Sequence, residues 1–345
     1  MTSSSPIVAA ATELAAMLET NARQTDAQGL SAEQVAALAK TGALNPADLP
    51  TRMEVGRALA QGCGASAYFA IAASTAATLT ARMGAAKDLN GEIAMLAPFA
   101  NNAALTRKGA DWSMSGAWAS VGGLDHAQWV LVFGLEHEGE RYCALLKSED
   151  ASAEALTLFG GLRGLNWKSL IVTDVTLPAH RVARESDILK GEETPMLGAL
   201  LGTLEAGYHD YARITRARVA GVGGQAVARF TQVQSRLAES HAELKALRAI
   251  YADLMSKIAE ASDDPLVLAE MARDRAYLAH KSVETLNRLL TQMGAMGLAE
   301  SNSVQRRFRD LRAFAAMPGQ NWNAQMSAFG RRELGVPEED ANAAA

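Results

Sequence analysis

The sequence predicts an α+β protein, mostly helical, in three parts. These are an N-terminal helical domain over residues 1–90, a small β unit over 91–190, and a C-terminal helical bundle over 191–335. Three observations carry this. Apolar residues recur at three and four along both ends of the chain, and at two only in its middle. The strand-like runs are grouped together instead of alternating with helices, and no GxGxxG opens a helix after a strand, which excludes a doubly wound dinucleotide fold. The 345 residues, nearly half apolar and 6% aromatic, suffice for two or three structural units around a large helical core.

The N-terminal stretch Met1–Thr20 has no basic segment and is interrupted by Glu13 and Glu19. It reads as an amphipathic helix, not a signal peptide. Ser31 followed by Gln34 is a capping box ahead of Val35, Leu38 and Ala39, and Gly42 ends that helix. Asn45-Pro46 and Leu49-Pro50 mark a turn before a helix over Arg52–Ala60. Gly62 to Gly64 then separates it from a helix of small residues ending at Met83-Gly84, where Ala and Ser permit close helix approach.

The middle of the chain changes period. Trp112, Met114, Gly116 and Trp118 alternate with Ser113, Ser115, Ala117 and Ala119, a strand signal, and Gly122-Gly123 breaks the run. Trp129–Phe133 reads as a buried second strand, and such a pair with glycine at its bend brings a backbone close to a flat ligand. Tyr142–Leu146 and Ser169–Val172 are further strands, punctuated by Gly160, Gly161 and Gly164, and Pro178 closes the unit. Helical spacing returns over Leu197–Val219. Gly221, Gly223 and Gly224 form a flexible break, and a long helix carries Phe230 to Ile258. Asp263-Asp264-Pro265 restarts a helix reaching Met293-Gly294. Val304–Ala316 is the last strong helix before Pro318, and residues 336–345 read as a disordered tail.

A net charge of -5 without a basic stripe argues against a nucleic-acid partner. No apolar run approaches membrane-spanning length. Cys63 and Cys143 lie far apart and suggest neither a disulfide framework nor a metal site. A cytoplasmic enzyme or binding protein is the expectation.

Three segments, SGAWASVGGLDHAQWV, VTDVTLPAHRV and VQRRFRDLRA, in this order and spacing, resemble the acyl-CoA dehydrogenase superfamily. GLDHAQWV and RRFRDLRA look more like its flavin-dependent, two-component monooxygenase branch than like the dehydrogenases proper. The resemblance runs from about Ser31 to Trp322, and it implies that the β unit is a small barrel or sandwich and the C-terminal domain a four-helix bundle. It implies a flavin, FAD or FMN in reduced form, held between the β domain and the bundle, and a homo-oligomer, dimer or tetramer, in which a neighbouring subunit supplies part of the site. A flavin requires a strand edge beside its ring, a donor near N5 and a dry pocket over its reactive face.

Carried over residue by residue, Trp118 matches the family tryptophan beside the flavin. The hydroxyl falls on Ser120 in the dehydrogenase pattern, whereas the monooxygenase serine aligns with Gly122. Ser120 is preferred because only a side chain supplies the hydroxyl donor. Gln292 and Gly294 resemble the segment that touches the dinucleotide end of FAD, and Arg218 stands where the family offers an arginine to cofactor phosphate. The charged run Arg306–Arg312 reads as a solvated face, as interface ion pairs or as a pyrophosphate contact, and the resemblance makes Arg309-Asp310 structural. His126 reads as a turn-stabilising residue, and His209 with Asp210 as a candidate pair facing a substrate cavity.

The family's catalytic positions are not matched. Where dehydrogenases place a carboxylate base and monooxygenases a histidine, this chain has Met317-Pro318-Gly319-Gln320, and Glu205 on another helix is the alternative base. The chain is also short over 42–52 and 94–109, segments that wall the pocket in the family. The leading expectation is a flavin-dependent oxidoreductase, monooxygenase-like, acting on an aromatic or hydrophobic small molecule with a separate flavin reductase as partner. The alternatives are an acyl-CoA dehydrogenase with a displaced base, or a non-catalytic subunit that keeps the fold.

Overall fold

The computed structural model describes residues 5–156, 160–192, 195–220 and 224–336. Of the expected glycine break, Gly221 and Gly223 lie outside the described residues, as does the tail beyond Val336. The chain divides into two compact units, Met1–Ala199 and Leu200–Ala345.

The first unit holds helices α1 (Pro6–Gln28), α2 (Ala32–Lys40), α3 (Leu49–Gly62), α4 (Gly64–Met83) and the single turn α5 (Ala86–Leu89). The capping box is formed: Ser31 Oγ accepts from the Gln34 N–H, and Gln34 Oε1 accepts from the Ser31 N–H at 2.9 Å. Asp48 caps α3 by accepting from the Thr51 N–H. Small residues let α4 bury an almost unbroken run from Gly64 to Ala76, as expected of a helix apolar on all faces. Cys63 and Cys143 are buried, and neither forms a disulfide among the described residues.

The sheet consists of β1 (Ala94–Ala97), β2 (Ala100–Lys108), β3 (Asp111–Val121), β4 (Trp129–His137), β5 (Glu140–Lys147), β6 (Ser152–Ala155), β7 (Lys168–Leu177) and β8 (Val182–Arg184), followed by the single turn α6 (Glu185–Ile188). Its order is β6-β7-β3-β2-β4-β5-β8, with β1 parallel to β4. Trp129, Leu131 and Phe133 of β4 pack with Cys143 and Leu145 of β5 against Ala76 and Leu79 of α4. The alternation in β3 is real, since Trp112, Met114 and Trp118 all point inward. β1, β2, β6 and β8 have no counterpart among the sequence-derived strands. β2 buries only two of its nine residues and β6 none, so neither carries a periodic apolar signal.

Three adjacent strands lose register in one band. β2 slips between Asn101 and Ala104, β3 between Trp118 and Val121, and β4 between Val132 and Leu135. Left-handed backbone accompanies each: Asn102 at φ 53°, Ser120 at 60° and Gly134 at 75°. The β2–β4 ladder shrinks to the single pair Ala104↔Glu136, so the sheet opens there.

The second unit contains α7 (Leu197–Ala217), whose first turn spans the boundary, then α8 (Thr231–Glu260), α9 (Pro265–Gln292), α10 (Ser303–Ala315) and α11 (Trp322–Glu333). Pro265 opens α9 behind the Asp264 cap. α11 was not anticipated from the sequence; Asn321 caps it, and Trp322 stacks on His280 of α9 with ring centroids 4.2 Å apart. The charged run on α10 is not a solvated face. Arg306, Arg307 and Asp310 are buried, and Arg307 Nε donates to Asp210 Oδ2 on α7 at 2.7 Å.

Candidate functional site

The bulged band of β3, β2 and β4 is where the first unit departs most from regular sheet. Strained backbone and bulges concentrate where side chains are re-aimed for function. Gly134 is required there by two observations. Its φ is left-handed, and an added Cβ would lie 2.7 Å from the Ala100 Cβ on β2. The Gly134 N–H, released from the ladder, is taken up by Glu185 Oε1, and Glu185 Oε2 faces Arg141 Nε at 3.4 Å. Between the bulges lies a pocket of about 450 Å3 lined by Phe99, Asn102, Gly134, Glu136 and Arg141. The Phe99 ring is 41% exposed, and Glu136 stands directly opposite Arg141 in the β4–β5 register.

Ser120 is the penultimate residue of β3 and lies in its bulge. Its hydroxyl is half-buried and has no hydrogen-bond partner among the described residues. The preceding residue, Ala119, donates its N–H to the Phe99 carbonyl at 3.2 Å, which ties the Ser120 turn to the rim of the pocket. A non-glycine residue at φ 60° costs about 1–2 kcal/mol, a cost tolerated only where the surroundings over-determine it.

Trp118 corrects the sequence reading. The side chain is fully enclosed, and its indole N–H donates to the Phe133 carbonyl at 2.7 Å. It has no free surface for a flavin and serves as core beneath the bulge. Gly122 is buried as well; a Cβ there would meet Leu165 and Trp167 at 3.1 Å, so a serine would press on both. His126 is a turn residue, as expected, with Nε2 2.8 Å from the Leu30 carbonyl and its ring edge-on to Phe69. Beside it, burial pushes the Asp125 carboxyl up, but Lys168 and Asn166 bind it and bring it below the usual range.

In the second unit, Gln292 and Arg218 converge on Tyr211. The Tyr211 hydroxyl donates to Gln292 Oε1 at 2.7 Å, and Gln292 Nε2 donates to the Gln232 carbonyl at 3.2 Å. The Arg218 charge acts on Tyr211, and its guanidinium has no hydrogen bond or ion pair among the described residues. Gly294, at φ 60°, has open space where a Cβ would stand.

His209 and Asp210 do not form a pair facing one cavity. His209 is exposed and edge-on to Tyr208, whereas Asp210 points into the bundle between Arg307 and Arg213. Burial pushes the Asp210 carboxyl up, and the two guanidiniums hold it net below its ordinary value. Glu205 is likewise buried, with Arg248 Nε 2.6 Å away, so it is committed to an ion pair.

Phe99, Asn102, Glu136 and Arg141 were not singled out in the sequence. One signal was available, a glycine interrupting the apolar run of β4, which marks a bulge or a close backbone approach.

Residues 195–321 match the family model "Acyl-CoA dehydrogenase, C-terminal domain". The chain is 29% identical over 268 residues to the FADH(2)-dependent resorcinol hydroxylase, oxygenase component, of Rhizobium sp. (strain MTP-10005). That alignment covers 65% of this chain and 64% of the relative's length. Among solved structures, XiaF from Streptomyces sp. in complex with FADH2 and glycerol superposes with TM-score 0.85 at 17% identity, covering 96% of this chain and 95% of that one. Butyryl-CoA dehydrogenase from Megasphaera elsdenii gives 0.81 at 16% identity, covering 95% and 97%.

Proposed function

We propose that this chain, which has the acyl-CoA dehydrogenase fold, is the oxygenase component of a two-component flavin-dependent monooxygenase that hydroxylates an aromatic small molecule. One observation carries the reading. Ser120 is held in a strained bulge with a hydroxyl that has no partner among the described residues, in a chain similar to an FADH2-dependent resorcinol hydroxylase. The half-buried hydroxyl fits a flavin edge, because a polar group at that depth is satisfied only by a ligand or water. Trp118 does not fit as a ring contact, for the reason given above.

Reduced flavin, when bound, supplies the two electrons by which dioxygen delivers one atom to the aromatic ring and leaves the other as water. The chain's own residues bind and orient. Ser120 Oγ would supply a hydrogen-bond donor to the flavin, and Phe99 an aromatic face. In the bundle, Arg218, whose guanidinium has no hydrogen bond or ion pair among the described residues, would supply a cation for a phosphate, and Gly294 leaves space beside the backbone. The Tyr211–Gln292 hydrogen bond holds the end of α9 in place.

Acyl-CoA dehydrogenation is the weaker reading, because Glu205 is paired with Arg248 and residues 317–320 offer no carboxylate. A dissociable flavin, FAD or FMN, implies a separate reductase, consistent with the relative's description as an oxygenase component. Assembly as a dimer or tetramer and a cytoplasmic location belong to the same proposal. No helix among the described residues is long and apolar enough to cross a membrane.

The test is anaerobic titration of the purified chain with reduced FAD and reduced FMN, followed by mixing with oxygen and resorcinol. Quenching of protein fluorescence and a product carrying one added oxygen atom are expected. Binding of neither reduced flavin overturns the proposal.

A further inference from the structure

The geometry points to the pit between the β2 and β4 bulges as the substrate pocket, selecting a neutral dihydric phenol over an aromatic acid. The inference rests on the oxygenase reading above and deepens it. The pit is built into the backbone. The two neighbouring strands β2 and β4 both carry register shifts, their ladder is cut to one residue pair, and left-handed Asn102 and Gly134 flank the opening. Its volume of about 450 Å3 lies within the range that encloses small organic ligands. Phe99 supplies an exposed aromatic wall.

The polar groups set the preference. Among the described residues, Arg141 is the only cation lining the pit, and its Nε already faces Glu185. Glu136 lies directly across from it and makes no hydrogen bond or ion pair among the described residues. The one guanidinium is thus committed to Glu185, Glu136 adds a second, unpaired carboxylate among the described residues, and the local charge is negative. An aromatic carboxylate would meet Glu136 with no uncommitted cation to offset it, and like charges so placed disfavour binding. A phenol meets the same groups favourably. One hydroxyl donates to the Glu136 carboxylate and accepts from an Arg141 Nη–H, and a second reaches the Asn102 amide, which is also unbonded among the described residues. Hydrogen bonds to charged groups are the stronger class.

The probes are resorcinol and 3,5-dihydroxybenzoate, the same ring carrying a carboxylate. Each is titrated calorimetrically into the full chain, alone and with reduced FAD under anaerobic conditions. The wild type is expected to favour resorcinol by roughly tenfold. Glu136→Gln narrows that ratio, Glu136→Lys inverts it, and Phe99→Ala weakens both ligands together. Glu136 is exposed, so the substitutions leave the core intact, and matching thermal unfolding verifies this. An affinity ratio that is the same in wild type and Glu136→Lys overturns the inference, as does failure of both compounds to bind. Reduced FAD titrated separately distinguishes the two ideas. If flavin binds and residue 136 does not alter selectivity, only the pocket assignment falls. If no reduced flavin binds, the oxygenase reading falls first.

Discussion

Replacing Ser120 separates backbone strain from hydroxyl chemistry, because glycine and alanine remove the same oxygen but differ in what they do at φ 60°. Left-handed backbone costs a non-glycine residue about 1–2 kcal/mol. Glycine releases that cost but gives back about 0.5–1 kcal/mol through its freer unfolded chain. Ser120→Gly should therefore stabilise the first unit by about 0.5–1 kcal/mol, a rise in Tm of roughly 1–4 °C for a unit of this size. Ser120→Ala keeps the strain and should not raise Tm. Both lose the hydroxyl, and a side-chain hydrogen bond contributes about 0.5–1.5 kcal/mol, so reduced flavin should bind about two- to tenfold more weakly to either. The assay is differential scanning calorimetry beside anaerobic flavin titration of the three proteins. A lower Tm for Ser120→Gly would refute the strain argument, and undiminished flavin affinity in both variants would refute the role of the hydroxyl.

Other outcomes follow from single contacts. Asp210→Asn removes the buried carboxylate that Arg307 Nε meets at 2.7 Å and should cost about 3–5 kcal/mol at neutral pH in urea unfolding. Because the folded Asp210 carboxyl lies below its ordinary 3.8, its contribution is complete above that value and lost as pH falls through the folded one. The gap between wild type and Asp210→Asn should thus shrink in acid, and a gap that grows there would contradict the assignment. Trp118→Phe strands the Phe133 carbonyl at a cost of about 1–3 kcal/mol, with flavin affinity unchanged. Gly62→Ala places a Cβ 2.2 Å from the Ala15 carbonyl, so α1 and α3 must separate. Overpacking of this kind costs about 1–3 kcal/mol or more, and a variant as stable as wild type would show that the two helices slide freely.

The elements legible in the sequence were those with strong punctuation. The Ser31–Gln34 box, the Asp264-Pro265 restart and the Gly84 stop each act through local backbone groups and need no distant partner. Strands β2 and β6 were not legible, because an exposed strand of Asn, Ala, Ser and Glu has no apolar period to read. Helix α11 was missed for a related reason. Its apolar residues are sparse, and what fixes it is Trp322 stacking on His280, a tertiary contact. The buried arginines of α10 show the same limit from the other side, since Asp210, nearly a hundred residues away, decides whether Arg307 faces solvent or core.

The candidate site divides along similar lines, and Trp118 shows how. Its period-two partners Trp112 and Met114 are core residues, so the alternation itself placed Trp118 inside; a residue in phase with the core cannot also be the free wall of a pocket. The bulge after Trp118 resolves the conflict. One extra residue at Ala119-Ser120 breaks the phase, leaving the indole buried and turning the next hydroxyl out of the core alternation. Because the serine adopts left-handed backbone without a glycine or asparagine to announce it, no residue-level signal marks the bulge. The same logic accounts for Gly122. With Leu165 and Trp167 3.1 Å from where a Cβ would stand, a serine at position 122 must displace both to place the hydroxyl of the monooxygenase pattern, and the bulge presents one two residues earlier. Moving the group back tests this directly: Ser120→Gly combined with Gly122→Ser should not restore flavin affinity unless Leu165 is also reduced to Ala. Restoration without that third change would mean that the strand, and not the bulge, determines where the hydroxyl can act.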